Sequence, residues 1–419
     1  MNGTAERQWF GGIGRAFADR NFRIHSVGSI ASWISYFVQI VAVSWLTWEL
    51  TASTVWLAVV ALMDIVPNVL LLPLGGALAD RFDRYRILIV TNILLLIQAT
   101  VMALLAWWDL LSIWPLALLV LLHGTLISFY VPAMHGMLPR FVEKSRLASA
   151  IAVNSSYTQF AIFAGPALAG WLIVNHSIAM AFAVNALGYF ILLCAMTFLK
   201  TPKGYMKPQR SGLSILGDIA HGVTYILGNK GISALLILLL AGDALSVSFY
   251  HMLPAYSEQI LSVGVVGVSA ILAARGFGAT LAALWLAHGG AKAARIERVL
   301  WAFLAATLSL ACLLLVENLY FAVAIAMASG LASQIRKTGT QSLLQLNVDE
   351  AQRGRVMGNM FLLTQLAGGI GTYLVGSYAV TQGVVTPMLI AVTICLVIWV
   401  IVFTGRGRFI HSFDESLKG

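Results

Sequence analysis

Three ionisable residues stand deep inside long apolar runs: Asp64, Asp243 and Arg275. Counted from the inner ends of the helices that must carry them, Asp64 lies roughly 14 residues deep, Asp243 about 11 and Arg275 about 13, or roughly 16–21 Å at 1.5 Å per residue. That depth is close to the midplane of a bilayer, where a charge normally faces a partner or a wet cavity. Three chemistries follow. Asp243 and Arg275 form a static pair that holds two neighbouring helices in register; or one carboxylate, Asp64 or Asp243, binds and releases a coupling proton; or Arg275 meets an anionic group on a bound molecule. The residues alone leave all three open.

Gln39, Gln98, His123, Asn154, Tyr157 and Gln159 also fall within apolar runs. Each lines a cavity or makes an interhelical hydrogen bond, and a lone histidine in a helix bundle is more often structural. Trp33, Tyr36 and Tyr250 sit deep enough to stack on a flat ligand, whereas Trp45, Trp48 and Trp56 suit an interfacial aromatic belt. Cys194, Cys312 and Cys395 lie far apart, match no metal spacing and read as small buried hydrophobes without a disulfide. No metal or cofactor is expected. With no nucleotide-binding loop and no nucleophile beside a base, the chain does not read as an enzyme.

The elements that position these residues are legible from charge. All but one of the 26 lysines and arginines fall into seven short stretches: Arg7 to Arg23, Arg81 to Arg86, Arg140 to Arg146, Lys200 to Lys230, Lys292 to Arg298, Arg336 to Arg355, and Arg406 to Lys418. The exception is Arg275. Between successive stretches lies enough apolar chain to cross a bilayer twice, with a cation-free turn between the crossings. Short loops rich in lysine and arginine stay in the cytoplasm, so the pattern predicts twelve spans with both termini cytoplasmic. They are placed near 27–48, 54–78, 87–108, 113–137, 150–174, 178–199, 232–254, 265–288, 299–316, 319–341, 356–380 and 386–404. Composition agrees, with 59% hydrophobic and 10% charged residues against roughly 25% charged in a soluble domain. The net charge of +9 is then a topology signal facing anionic lipid, not a nucleic-acid footprint.

The chain is internally duplicated. A shift of 206 residues lays Val142-Glu143 on Val348-Asp349, and Gly165 and Gly170 on Gly371 and Gly376. The predicted organisation is a polar cytoplasmic N-terminus at 1–23 with no cleaved signal, a six-helix bundle at 24–199, a linker at 200–231, a second bundle at 232–404 and a tail at 405–419. In the linker, Leu213, Leu216, Ile219, Val223 and Ile226 recur at helical spacing, which predicts an amphipathic helix on the inner membrane surface tying the halves together. Six plus six parallel spans suit a transporter whose halves rock about a midplane site.

The segment Gly75-Gly76-Ala77-Leu78-Ala79-Asp80-Arg81-Phe82-Asp83-Arg84-Tyr85-Arg86 resembles the signature loop of the major facilitator superfamily. With Arg20-Asn21-Phe22-Arg23, Glu49-Leu50-Thr51-Ala52-Ser53, Arg146-Leu147-Ala148-Ser149-Ala150, Val348-Asp349-Glu350 and Arg353-Gly354-Arg355-Val356-Met357, it is similar to the branch containing enterobactin exporters and macrolide efflux pumps. The resemblance implies an all-α membrane fold of two six-helix bundles. It also implies a conformational latch of Gly76, Asp80, Arg81 and Arg84, in which Asp80 docks on the start of the eleventh span near Val356 and closes the cytoplasmic side. Gly165, Pro166 and Gly170 resemble an antiporter motif at the interface between halves, with Ala161 and Ala169 where glycines are expected. The expected function is proton-coupled export of an amphiphilic small molecule, a siderophore or drug, by a monomer in the bacterial cytoplasmic (inner) membrane. The partners are then substrate, protons and the bilayer, with no nucleic acid. The alternatives are an uncoupled facilitator or lipid flippase, and a non-transporting membrane sensor or assembly partner.

Overall fold

A computed structural model describes residues 17–137, 141–143, 146–199, 215–289 and 295–416. Among them the regular structure is entirely helical. The first half contains α1 (Arg20–Thr51), α2 (Thr54–Arg81), α3 (Arg84–Trp107), α4 (Ile113–Met137), α5 (Leu147–Asn175) and α6 (Ile178–Thr197). A connecting helix α7 (Ile215–Gly228) leads to α8 (Lys230–His251), the short α9 (Leu253–Gln259), α10 (Gly264–Gly289), α11 (Ile296–Leu313), α12 (Leu319–Asn347), α13 (Glu350–Gln382) and α14 (Val385–Ser416). By length and composition, 12 of these helices are able to cross a membrane, and every predicted span overlaps one of them.

Capping side chains set many of the starts. Ser53 and Ser177 accept from the backbone amides of Trp56 and Met180, Asn318 from Tyr320, Asp83 from Tyr85, and Asn229 from Gly231 and Ile232. Each satisfies an amide that the first helical turn leaves unbonded. Three helices run furthest past their predicted spans: α1 has 32 residues, α13 has 33 and α14 has 32. Hydropathy marks only the apolar part of a helix, and the polar ends continue beyond it. One predicted span is divided. The run 232–254 ends as α8 at His251, and Pro254 sits in the first turn of α9, because proline lacks the amide that a continuing helix needs but fits a first turn.

Within the first half α1 packs on α5 and α6, α2 on α4, and α3 on α4 and α6; within the second, α8 packs on α13 and α14, α10 on α12, and α11 on α12 and α14. Two main contacts join the halves, α2 with α13 and α5 with α10, and smaller ones join α1 with α9 and α10 and α2 with α8. The 206-residue shift carries α2 onto α10 and α13 onto α5, so each main joint maps onto the other. The linker helix α7 packs against α13 and α8, both of the second half, and its Ile226 joins a buried cluster with Val348, Val356 and Met360. Its main packing is thus on the second half. Of the predicted linker stripe, Leu213 lies outside the described residues.

The bundle is closed at one end and open at the other. At the end carrying the cation-free turns, a continuous apolar cluster draws on both halves, including Val41, Leu57, Phe249 and Val265. There Thr54 donates to the carbonyl of Gly376 at 2.8 Å, and a Cβ on Gly376 would come within 2.7 Å of Ala58 Cβ. Tyr256 of α9 donates to the carbonyls of Leu313 and Val316; burial pushes its phenol up to about 12, so the donor stays protonated. At the basic end the core divides. Phe22, Leu88, Met137 and Met196 cluster within the first half, and Ile232, Leu235, Val299 and Val356 within the second. A Cβ on Gly76 of α2 or on Gly354 or Gly358 of α13 would meet nothing within 4 Å.

Candidate functional site

A cavity of about 330 Å³ lies between the halves, within the usual range for small-molecule sites. The first half lines it with Tyr36, Gln39, Asp64, His123 and Pro166, and the second with Tyr250, His251, Arg275 and Gln365. Phe37, Ile40, Val60, Val120, Ile162 and Leu272 make much of the remaining wall. The cavity is therefore apolar with a few charged and polar groups, on both sides of the joint.

On the first half, α4 approaches α2 at Gly124, where a Cβ would sit 2.9 Å from the Asp64 Cα. Only glycine allows that approach, and it brings His123 to Asp64. Asp64 Oδ1 lies 2.8 Å from His123 Nδ1. The other ring nitrogen, Nε2, is 3.4 Å from the Tyr189 hydroxyl, and Tyr36 stacks on the imidazole at 5.6 Å. A ring that donates from Nδ1 satisfies the carboxylate and leaves Nε2 to the Tyr189 hydroxyl. The Asp64 side chain is 35% exposed and that of His123 is 4%. The carboxylate thus meets the cavity and the histidine supports it from behind.

On the second half the same device recurs. Gly330 of α12 lies against the Arg275 backbone, with a would-be Cβ 2.9 Å from its Cα, and Gly276 lies against Ile162 and Phe163 of α5. The Arg275 guanidinium carbon is 3.8 Å from the centroid of the Tyr250 ring, a cation–π contact.

Asp243 does not reach the cavity. It is buried and pairs at 2.6 Å with Arg336 of α12, whose other Nη donates to the Leu239 carbonyl at 3.0 Å. The reading that paired it with Arg275 gives way to this one, and Asp243 loses its place as a cavity proton carrier. Arg336 looked like the start of a basic loop because Lys337 follows it. Yet Ala322, Ala326, Ser329, Ser333, Arg336 and Thr340 form one buried stripe of α12, and Lys337 is exposed. The signal was the helical period, which puts neighbours about 100° apart.

The other expected residues divide. Trp33 does not line the cavity; it packs edge-on to Tyr36 and stacks on Phe37. Asn154 is likewise outside the lining and accepts from the Tyr157 hydroxyl. Gln98 donates to the Leu119 carbonyl at 3.2 Å, a link between α3 and α4, and the Gln159 carbonyl accepts from Thr280 of α10 at 3.3 Å. Gly170 meets Ser269 of α10 across the joint, whereas Gly165 meets Phe37 and Ile34 of α1 inside its own half. In the signature loop, Asp80 pairs with Arg84 at 2.7 Å, and Arg84 also donates to the carbonyls of Ala79 and Gly136. The Asp80 side chain is 58% exposed, and among the described residues its ion-pair partner is Arg84 of α3, not a group of α13. His251, Gln365 and Arg336 were missed. His251 ends an apolar run, where it reads as an interfacial residue.

Comparison with known proteins agrees with this architecture. The chain is 25% identical over 409 residues to the uncharacterized MFS-type transporter YfiS of Bacillus subtilis (strain 168), covering 91% of each. It is 24% identical over 203 residues to macrolide efflux protein A of Streptococcus pyogenes, covering 48% of this chain and 50% of that one; the match thus spans about half of that relative. It is 26% identical over 177 residues to the staphyloferrin A transporter of Staphylococcus aureus, or 42% of this chain and 44% of that one. A bacterial homolog to the human lysosomal transporter Spinster, inward-facing and occupied, superposes with a TM-score of 0.74 at 13% identity, covering 95% of this chain and 98% of that one. The peptide transporter POT in complex with sulfate gives 0.74 at 13%, covering 94% and 96%. At such identity these structures show the fold. With residues 15–415 matching the family described as transmembrane secretion effector, this multi-pass membrane protein belongs to that family of major-facilitator transporters.

Proposed function

We propose that the chain is a proton-coupled exporter of amphiphilic small molecules and that Asp64 carries the proton. The observation that carries this reading is the partly exposed Asp64 carboxylate, bonded to His123 inside the cavity between the halves. A carboxylate near the midplane that reaches a wet cavity can be loaded from either side as the halves rock. The name of the macrolide efflux relative supports amphiphilic cargo. The basic end faces the cytoplasm of a bacterial inner membrane by the charge rule, so the conformation described above is open inward, ready to load cargo.

The test is transport in proteoliposomes that enclose a pH-sensing dye, against a panel of neutral, basic and acidic amphiphiles. Wild-type protein should move protons only when a transported compound is present. Asp64→Asn should still bind that compound but lose gradient-driven accumulation by at least about 100-fold, as expected when a proton-transfer group is removed. His123→Gln should weaken coupling less. Undiminished accumulation by Asp64→Asn would remove the residue from coupling.

A further inference from the structure

Arg275 and Arg336 both lie among packed helices, yet only Arg336 is neutralised. Its partner Asp243 is 2.6 Å away. No described carboxylate lies within 4.0 Å of Arg275. Its Nε–H is buried without an acceptor, and so is the hydroxyl of the Tyr250 on which it rests. Both residues line the cavity, and a buried polar atom without a partner is costly. They are also held in place. Gly330 fixes the Arg275 backbone on α12, and the next residue, Gly276, fixes it on α5. A fixed guanidinium beside a phenol needs little reorganisation to receive two oxygens of a planar anion.

We infer that Arg275 and Tyr250 form a subsite for an oxyanion, carboxylate or phosphate, carried by the transported molecule. The apolar body of that molecule lies against Phe37, Ile40, Val60 and Leu272, which line the same cavity. This names the cargo class as organic anions and rests on reading the cavity as the transport site. The guanidinium takes the anion by charge-assisted hydrogen bonds, and a small turn of Tyr250 that uncovers its buried hydroxyl adds a donor. The Tyr250 ring keeps the arginine pointed at the cavity when it is empty.

Equilibrium binding to the purified protein in detergent tests this, with three probes: naphthaleneacetate, its neutral amide and naphthyl phosphate. Wild type should prefer at least one of the two anions over the amide by about tenfold or more, the scale of a charge-assisted hydrogen bond. The order of the two anions identifies which oxyanion is preferred. Arg275→Gln should abolish the preference, and Tyr250→Phe should reduce it several-fold. Arg275→Lys keeps the charge without the planar fork and should retain a weaker preference, which guards against simple misfolding. Equal binding of acid and amide, no saturable binding of either anion, or an undiminished preference in Arg275→Gln overturns the subsite. No gradient enters this measurement. Loss of coupling at Asp64 therefore leaves it intact, and its failure leaves gradient-driven transport of other cargo untouched.

Discussion

At Asp243 the carboxylate and the Arg336 guanidinium pair outside the cavity lining, and a structural role makes a definite prediction. Removing one partner of such a pair strands a charge and costs roughly 3–5 kcal/mol, whereas removing both costs much less. Asp243→Asn and Arg336→Gln should each lower the melting temperature of the purified protein, and the double variant should recover most of the loss. Combining Asp243→Asn with Arg275→Gln should bring no recovery; rescue there would restore the Asp243–Arg275 pairing. Asp64 and Arg275 were legible as cavity residues because a charge within an apolar run is conspicuous. Arg336 was not, because it adjoins Lys337 and only the helical period separates a buried cation from an exposed one. Tyr189, which supports His123 from α6, gave no signal at all.

Helices were readable where apolar length and a capping side chain agreed, as at Ser53, Ser177 and Asn318. The break at His251 was less so, since α9 is itself buried and apolar. Closure of the turn end depends on small residues where helices cross between halves. A Cβ on Gly170 would lie 2.5 Å from the Ser269 Cβ, so Gly170→Val should wedge α5 from α10 and disfavour the inward-open state. Measured by labelling, a cysteine on the turn-end face of the cavity should then become more reactive; unchanged reactivity would show that α10 yields elsewhere. The signature loop answers a different test. In the present state Asp80→Asn removes an exposed i,i+4 pair with Arg84, a change of about 0.5 kcal/mol or less. Stability should hold while transport falls, if Asp80 docks on α13 in the opposite state. Unimpaired transport by Asp80→Asn would assign the loop to topology alone.

The duplicated halves were visible as a 206-residue offset, but which end is open was not. Only packing shows it: a core shared between the halves at the turns and divided at the basic end. Accessibility tests the whole arrangement. Cysteines at Ser262 and Gln382, both exposed at turns, should react with an impermeant reagent from outside the cell. Cysteines at Gly76 and Gly358 should react only from the cytoplasm, and less once the protein is driven outward. A reversed pattern would invert the topology, and an equal rate at Gly76 in both states would break the link between that gap and transport.

Asp64 and Arg275 face one cavity from opposite halves, and this has an electrical consequence. In the exchange proposed above, one proton that enters on Asp64 and one anion that leaves from Arg275 move charge in the same direction. Each cycle then transfers two elementary charges inward, worth about 4.6 kcal/mol at 100 mV, at about 2.3 kcal/mol per charge. Voltage, more than acidity, becomes the energy source. Proteoliposomes given a potassium diffusion potential, negative on the side from which cargo leaves, should expel an anionic substrate with no pH difference imposed. A neutral cargo exchanged for one proton should respond to the same potential with half the steepness.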